Sequence, residues 1–199
     1  IGYLFPFQKS YNHKYSKYEY KMKFLWYNYF MNPKNLDLDI SLVFVTYDPG
    51  EKFFDRINKF LNSGSQIYVY SNGHEYERLI KYVGRENFHL YSDSINRGIG
   101  YALNFLEKRM IQDHLKYYLY LDQDTLVNIK ILELAREKLD LISNNTKYIS
   151  FTFKPQIKKF DEIVIPINSG TVFNLEKVSD VGFHDDNIFM DGVDFSFSF

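Results

Sequence analysis

The sequence predicts an α/β protein built on a mixed central sheet flanked by helices, and three observations predict it. From Ile40 onward, short apolar runs alternate with stretches of amphipathic, helical period. Each apolar run ends in small or polar residues, as strands do where they enter loops. After Ile142 the alternation stops and apolar runs follow one another with little helix between them, so an α/β half is joined to a half of mixed sheet.

Taken in order, Ile40 to Thr46 reads as a buried strand, and a helix follows over Glu51 to Leu61 with Phe53, Phe54, Ile57, Phe60 and Leu61 on one face. Gln66 to Tyr70 is the next strand, closed by Ser71-Asn72-Gly73. A short helix through Leu79 and Ile80 leads to a third strand, Phe88 to Tyr91. After Asn96-Arg97-Gly98 a longer helix carries Ile99, Leu103, Leu106 and Met110 inward, and a fourth strand, Tyr117 to Leu121, delivers Asp122-Gln123-Asp124 at its carboxyl end. A helix over Ile129 to Ile142 completes the first half. Strands at Tyr148 to Phe153 and Ile163 to Ile165 then run into Asn168-Ser169-Gly170.

Residues 1–38 form a basic, aromatic appendage to a main domain over residues 39–199. Lys9, Lys14, Lys17, Lys21, Lys23 and Lys34 oppose only Glu19 before Asp37. Tyr11, Tyr15, Tyr18, Met22, Leu25 and Tyr29 recur at helical spacing, whereas Tyr18, Tyr20, Met22, Phe24 and Trp26 alternate as a half-buried strand would, so the period leaves both open. Lysines commonly flank a buried stripe, which favours rings packed on the main domain over a nucleic-acid or membrane surface. Asn32-Pro33-Lys34-Asn35 supplies the turn at the boundary. The chain starts at Ile1 and stops at Phe199 inside an apolar pattern, so the main domain is expected to continue beyond it.

Composition narrows the function classes. With 199 residues, 45% of them apolar, one full core can be buried. Lys and Arg total 24 against 25 for Asp and Glu, which leaves no global field to hold nucleic acid or an acidic bilayer. There is no cysteine, which excludes disulfides and thiolate metal sites and makes a reducing compartment the simplest setting. No run approaches the roughly 18 apolar residues that a membrane span needs, so the sequence reads as soluble.

Four polar clusters, at residues 46–48, 71–73, 96–98 and 122–124, fall at the carboxyl edge of the predicted parallel strands, where open α/β sheets bind ligands. In Asp122-Gln123-Asp124, two carboxylates two positions apart can turn toward one hard cation such as Mg²⁺ or Mn²⁺; the same tripeptide also serves as a turn or helix cap. Thr46-Tyr47-Asp48-Pro49 offers a ring and a hydroxyl to a nucleobase, or a proline-initiated turn. Asn96-Arg97-Gly98-Ile99-Gly100 opens a helix, a place for phosphate or simply for an N-cap and close packing. Asp185, Asp186, Asp191 and Asp194 crowd around Phe189 and Met190, where a raised carboxylate pKa suits a general base and a solvated acidic turn is the alternative. His184 is read as a further ligand or base, or as a structural histidine.

In this order, these segments resemble the family 2 glycosyltransferases of GT-A fold, most closely their rhamnosyltransferase-like branch. The resemblance covers Ile40 to Phe199 and rests on Val43-Phe44-Val45-Thr46-Tyr47-Asp48-Pro49, Tyr70-Ser71-Asn72-Gly73, Asn96-Arg97-Gly98-Ile99-Gly100-Tyr101-Ala102-Leu103-Asn104, Leu121-Asp122-Gln123-Asp124, Ser169-Gly170 and Ile188-Phe189-Met190-Asp191-Gly192-Val193-Asp194. It implies an inverting transfer of a sugar from a nucleoside diphosphate of UDP or dTDP type to a saccharide or polyprenyl-linked acceptor. On that pattern Thr46 and Tyr47 border the base, Asn72 and Asn96 hold the nucleoside, and Arg97, Gly98 and Asp122 lie on the donor side. Asp122 and Asp124 hold Mg²⁺ or Mn²⁺, Ser169, Gly170 and Asp186 line the acceptor side, and Asp191 or Asp194 is the base. The chain departs from the pattern at Ser71, where the family has an acid, and at Asp191-Gly192, where it has an acidic pair.

The resemblance places the protein in the cytoplasm, with the inner face of the membrane and surface polysaccharide assembly as its setting, and with no nucleic-acid partner. A non-catalytic binding domain of the same fold is the alternative that Ser71 favours. A nucleotidyltransferase is the less suitable one, because Thr46-Tyr47-Asp48-Pro49-Gly50 lacks a Gly-rich, Lys/Arg-containing loop.

Overall fold

A computed structural model describes residues 3–6, 40–143, 147–153 and 168–194. The chain runs β1 (Tyr3–Pro6), β2 (Ile40–Thr46), α1 (Glu51–Leu61), β3 (Ile67–Ser71), α2 (Tyr76–Leu79), β4 (Phe88–Tyr91), α3 (Gly98–Gln112), β5 (Tyr117–Tyr120), α4 (Lys130–Glu137), β6 (Tyr148–Thr152), β7 (Thr171–Asn174) and α5 (Leu175–Val181). Single 3₁₀ turns follow α2 at Ile80–Tyr82 and α4 at Leu139–Ile142.

The strands form a mixed seven-stranded sheet in the order β1-β6-β7-β5-β2-β3-β4. β5, β2, β3 and β4 are parallel, while β7 pairs antiparallel with both β5 and β6. β2 is buried along its whole length because both of its faces are covered. Side chains alternate across a strand. Leu42 and Phe44 therefore point into one layer with Phe53, Ile57 and Phe60 of α1 and Leu132 of α4. Val43 and Val45 point into the other with Leu103, Leu106 and Met110 of α3 and Val178 of α5. Phe44 meets Phe53 edge to face at 5.4 Å. Each such ring contributes roughly 1.5–3 kcal/mol on burial, so this centre holds the parallel strand ends in line. Thr46 stands opposite Ser71 and Val43 opposite Tyr120, which sets the ends of β2, β3 and β5 along one edge.

The mixed-sheet α/β class is as the sequence predicts, and several elements differ in detail. The second parallel strand is shifted by one residue, to Ile67–Ser71. The helix expected over Ile129 to Ile142 breaks at Lys138, where φ is −109° and ψ is 3°, and its last part tightens into the 3₁₀ turn. Beyond Gly170 the chain adds β7 and α5, which the strand pattern did not announce. Thr171-Val172-Phe173-Asn174 is short and passes into the helix without a loop, and the Asn174 side chain caps it by accepting from Lys177 N–H at 3.3 Å. The strand expected at Ile163 to Ile165 lies outside the described residues, as does the turn at Asn32-Pro33-Lys34-Asn35. Within residues 1–38, Tyr3–Pro6 joins the sheet edge antiparallel to β6, with Leu4 opposite Phe151. Among the described residues no helix is long and apolar enough to cross a membrane.

Candidate active site

The carboxyl edge of the parallel strands gathers all four polar clusters. The Asn72 N–H donates to the Thr46 carbonyl at 2.8 Å, which joins the ends of β2 and β3. Thr46 is buried and its hydroxyl donates to the carboxylate of Glu75, whose second oxygen accepts from the Asp48 N–H at 3.0 Å. Asp48 takes a positive φ of 44° and accepts from the His74 N–H at 2.7 Å. That bond, with the His74 ring beside it, holds the Asp48 carboxyl below its ordinary range. The loops after β2 and β3 are thus tied to each other, and the Tyr47 ring projects from them, 52% exposed.

The Asp122-Gln123-Asp124 turn leaves β5 beside them. The Gln123 side chain holds both backbone polar groups of Tyr47. Arg56 of α1, nearly buried against Phe44 and Phe53, donates its guanidinium to the carbonyls of Gln123 and Thr125 and so brackets Asp124. Ser169 Oγ accepts from the Asp122 N–H at 2.9 Å and lies 2.6 Å from Thr125 Oγ1. Asp122 is half-buried and Asp124 exposed. Burial pushes the Asp122 carboxyl up; hydrogen bonds from the Tyr120 and Ser169 hydroxyls oppose this, and the charge of Asp124 adds to it.

A cleft of about 430 Å³ opens at this edge, lined by Asp122, Ser169, Asp191 and Asp194 together with Tyr120 and Asn168. Asp194 is half-buried and accepts from the Asn168 N–H at 3.0 Å. Burial pushes its carboxyl up, against that hydrogen bond, and the charge of Asp122 raises it further. Asp191 is exposed.

At the start of α3 the first backbone N–H groups find acceptors within the chain. Asn96 Oδ1 accepts from the Gly98 N–H at 3.0 Å, and the N–H groups of Ile99 and Gly100 donate to the carbonyls of Phe189 and Ile188 at 2.6 and 3.2 Å. A Cβ on Gly98, where φ is 83°, would stand 2.1 Å from the Phe189 carbonyl oxygen, and one on Gly100 would stand 2.2 Å from that of Asp185. Glycine at both positions lets residues 185–189 lie directly on the helix and carries Asp191 and Asp194 to the cleft. The buried Asn72 amide donates to the Gly98 carbonyl at 3.1 Å and accepts from the Arg97 N–H at 3.0 Å. Arg97 pairs with Asp93 at 2.7 Å.

The structure therefore brings Asp122, Ser169, Asp191 and Asp194 to one cleft and sets Asp124 and Tyr47 on the adjoining loops. Asn72, Asn96, Arg97 and Gly98 support the α3 junction. Gly170, whose N–H donates to the Tyr120 carbonyl at 2.8 Å, and Asp186, exposed on its turn, lie outside the lining. His184 is fully buried in the core, which is the structural alternative for that residue. Sequence reasoning missed Tyr120, Asn168, Glu75 and Arg56. Tyr120 was accessible to it, since extended backbone puts residues two apart on one side; the other three act through contacts distant in sequence.

The donor set suits a hard cation. Asp122 and Asp124 supply carboxylate oxygens only, one anchored and one facing water, and their mutual repulsion is what a dication relieves. Among the described residues no three or more His, Cys, Asp or Glu side chains converge on one point, so a Mg²⁺ or Mn²⁺ held here would need water and substrate oxygens to complete its shell.

No protein-family model matches the sequence, and no curated protein matches it. Among solved structures, the chain is similar to residues 1–349 of S. aureus TarS, with a TM-score of 0.57 and 15% identity over 81% of this chain. It spans 54% of the length of that structure. The likeness is one of fold, the GT-A arrangement of a mixed sheet flanked by helices. The rhamnosyltransferase branch finds no support in it.

Proposed function

We propose that residues 39–199 are the catalytic domain of an inverting glycosyltransferase that takes its sugar from a nucleoside diphosphate of UDP or dTDP type. The observation that carries this reading is the shared cleft. Asp122 at the end of β5 and Asp194 near the end of the described chain line the same space, and burial raises both carboxyls. The GT-A fold shared with TarS supports it.

Asp122 and Asp124 would hold Mg²⁺ or Mn²⁺ against the donor diphosphate, where the cation stabilises the charge that develops on the leaving group. The exposed Tyr47 ring would border the base, on a loop stiffened by Gln123 and Glu75. Asp194 is the better placed of the two candidate bases, because it is half-buried and fixed by the Asn168 N–H whereas Asp191 faces water. It would accept the proton of the acceptor hydroxyl as that oxygen bonds to the anomeric carbon; the bond to the diphosphate breaks, and the nucleoside diphosphate departs with the electron pair. Attack from the face opposite the leaving group inverts the anomeric centre. A saccharide or polyprenyl-linked hydroxyl is the acceptor class, at the cytoplasmic face of a membrane.

The test is titration with UDP-glucose, UDP-N-acetylglucosamine and dTDP-rhamnose, with and without Mn²⁺, following donor binding and hydrolysis. Saturable hydrolysis that chelator abolishes is the expected result. Metal-independent binding without turnover would replace the enzyme by a non-catalytic sugar-nucleotide-binding domain.

A further inference from the structure

A buried polar chain leads from the core to the cleft. Glu107 of α3, Tyr118 of β5 and His184 are each 0% exposed. Three donors converge on the Glu107 carboxylate: the Tyr118 hydroxyl at 2.5 Å, His184 Nδ1 at 2.6 Å and the His184 N–H at 3.1 Å. The Asn104 amide holds the His184 carbonyl at 2.6 Å, and the Phe173 ring stands edge-on to the imidazole at 5.7 Å.

This arrangement sets the tautomer. A carboxylate oxygen only accepts, so Nδ1 carries the proton, and in the neutral ring Nε2 is then an acceptor. Nε2 lies 3.3 Å from the Asn168 side-chain amide, which is itself buried and can donate to it. The backbone N–H of Asn168 holds Asp194, and the hydroxyl of the next residue, Ser169, holds the Asp122 N–H. One dipeptide therefore touches two of the acidic residues that line the cleft, Asp194 through its carboxylate and Asp122 through its backbone, and the imidazole meets its first member.

An acid and an imidazole buried this deeply cost more desolvation than apolar residues of the same volume would. Neither lines the cleft, so neither touches a substrate. We propose that Glu107 and His184 are positioning residues that orient Asn168 and, through its N–H, hold Asp194 in its acting geometry. The inference rests on the reading of Asp194 as the base and adds the groups that place it.

Two substitutions of one residue separate the links. His184→Asn puts an amide near the Nδ1 position and keeps the bond to Glu107 while releasing Asn168; His184→Gln reaches the Nε2 position and keeps Asn168. In the full chain with UDP-glucose and Mn²⁺, His184→Asn is expected to lower kcat for donor hydrolysis about 30-fold with KM within about twofold, and His184→Gln to recover most of it. Amide exchange of Asn168 should quicken about tenfold in His184→Asn, with the β5 amides still protected, and stay near wild type in His184→Gln. Equal losses in both variants, or unchanged Asn168 exchange in His184→Asn, overturn the proposal. If wild type binds no donor, the proposed function fails, and the exchange measurement still decides the positioning of Asn168. Glu107→Gln, which keeps shape and one acceptor oxygen, checks the pair without emptying the core: quicker Asn168 exchange supports the link and unchanged exchange contradicts it.

Discussion

The side chain of Gln123 closes on the backbone of Tyr47 from both ends: its Oε1 accepts the Tyr47 N–H at 2.7 Å, and its Nε2 donates to the Tyr47 carbonyl at 3.1 Å. The residue between the two candidate metal ligands thus latches the loop that carries the exposed ring. Both bonds are solvent-exposed, so water replaces most of what they contribute to stability. Gln123→Ala is expected to weaken UDP binding about tenfold by calorimetry while shifting Tm by no more than about 2 °C, because both groups can turn to water.

Arg56 has the stronger hold on the same turn. Its guanidinium serves the carbonyls on either side of Asp124, and its stem packs on Phe44 and Phe53. Arg56→Met keeps the apolar stem and removes the two charged donors, at a cost of about 2 kcal/mol. For a domain of this size that corresponds to a drop of about 4–8 °C in Tm, and Mn²⁺ affinity, read by titration of the purified variant, should fall with it.

Gly98 and Gly100 admit no side chain. Gly98→Ala meets both a positive φ and a carbonyl 2.1 Å from its new Cβ, and Gly100→Ala meets one at 2.2 Å. Each is expected to cost about 2–4 kcal/mol, in the range of strain and overpacking combined. The loss should be local: proteolysis and amide exchange would show residues 185–194 released first, and turnover would fall with the displacement of Asp194.

Asp122 makes one contribution to the pH dependence of stability. Burial raises its carboxyl, so in the metal-free protein its contribution is complete below the unfolded value of 3.8 and is lost as pH rises through the higher folded value. Asp122→Asn abolishes that loss. Its Tm should exceed that of wild type at pH 7 without metal, and the gap should close near pH 3. Added Mn²⁺ should reverse the order, because only the carboxylate binds it. Thermal denaturation across pH, with and without Mn²⁺, checks both signs.

How much the sequence revealed depended on the range of the forces involved. β2, α1 and β4 have the expected bounds, because a doubly covered strand reads as a continuous apolar run and α1 as a clean stripe. β7 and α5 were missed, since Thr171–Asn174 is brief and abuts its helix without punctuation. Asp122, Asp191 and Asp194 stand out in the local pattern and Ser169 through the family resemblance, and all four line one cleft. Their supports were not readable. Asn168 holding Asp194, Glu75 holding Thr46 and Arg56 holding Gln123 are side-chain to backbone or side-chain to side-chain bonds between distant segments, and no periodicity encodes them. At Asn96-Arg97-Gly98-Ile99-Gly100 the sequence leaves phosphate binding and close packing both open, and the carbonyls of Ile188 and Phe189 that meet the Gly100 and Ile99 N–H groups come from a segment distant in sequence.

The most direct test of the central claim, that Asp122 and Asp194 face one substrate from metal side and base side, is Asp194→Asn assayed for donor binding and turnover together. UDP-glucose affinity in Mn²⁺ is expected to stay within about threefold of wild type while kcat falls by about 10²–10⁴, the usual weight of a general base. Turnover that survives the substitution, or binding lost along with it, would rule out Asp194 as the base.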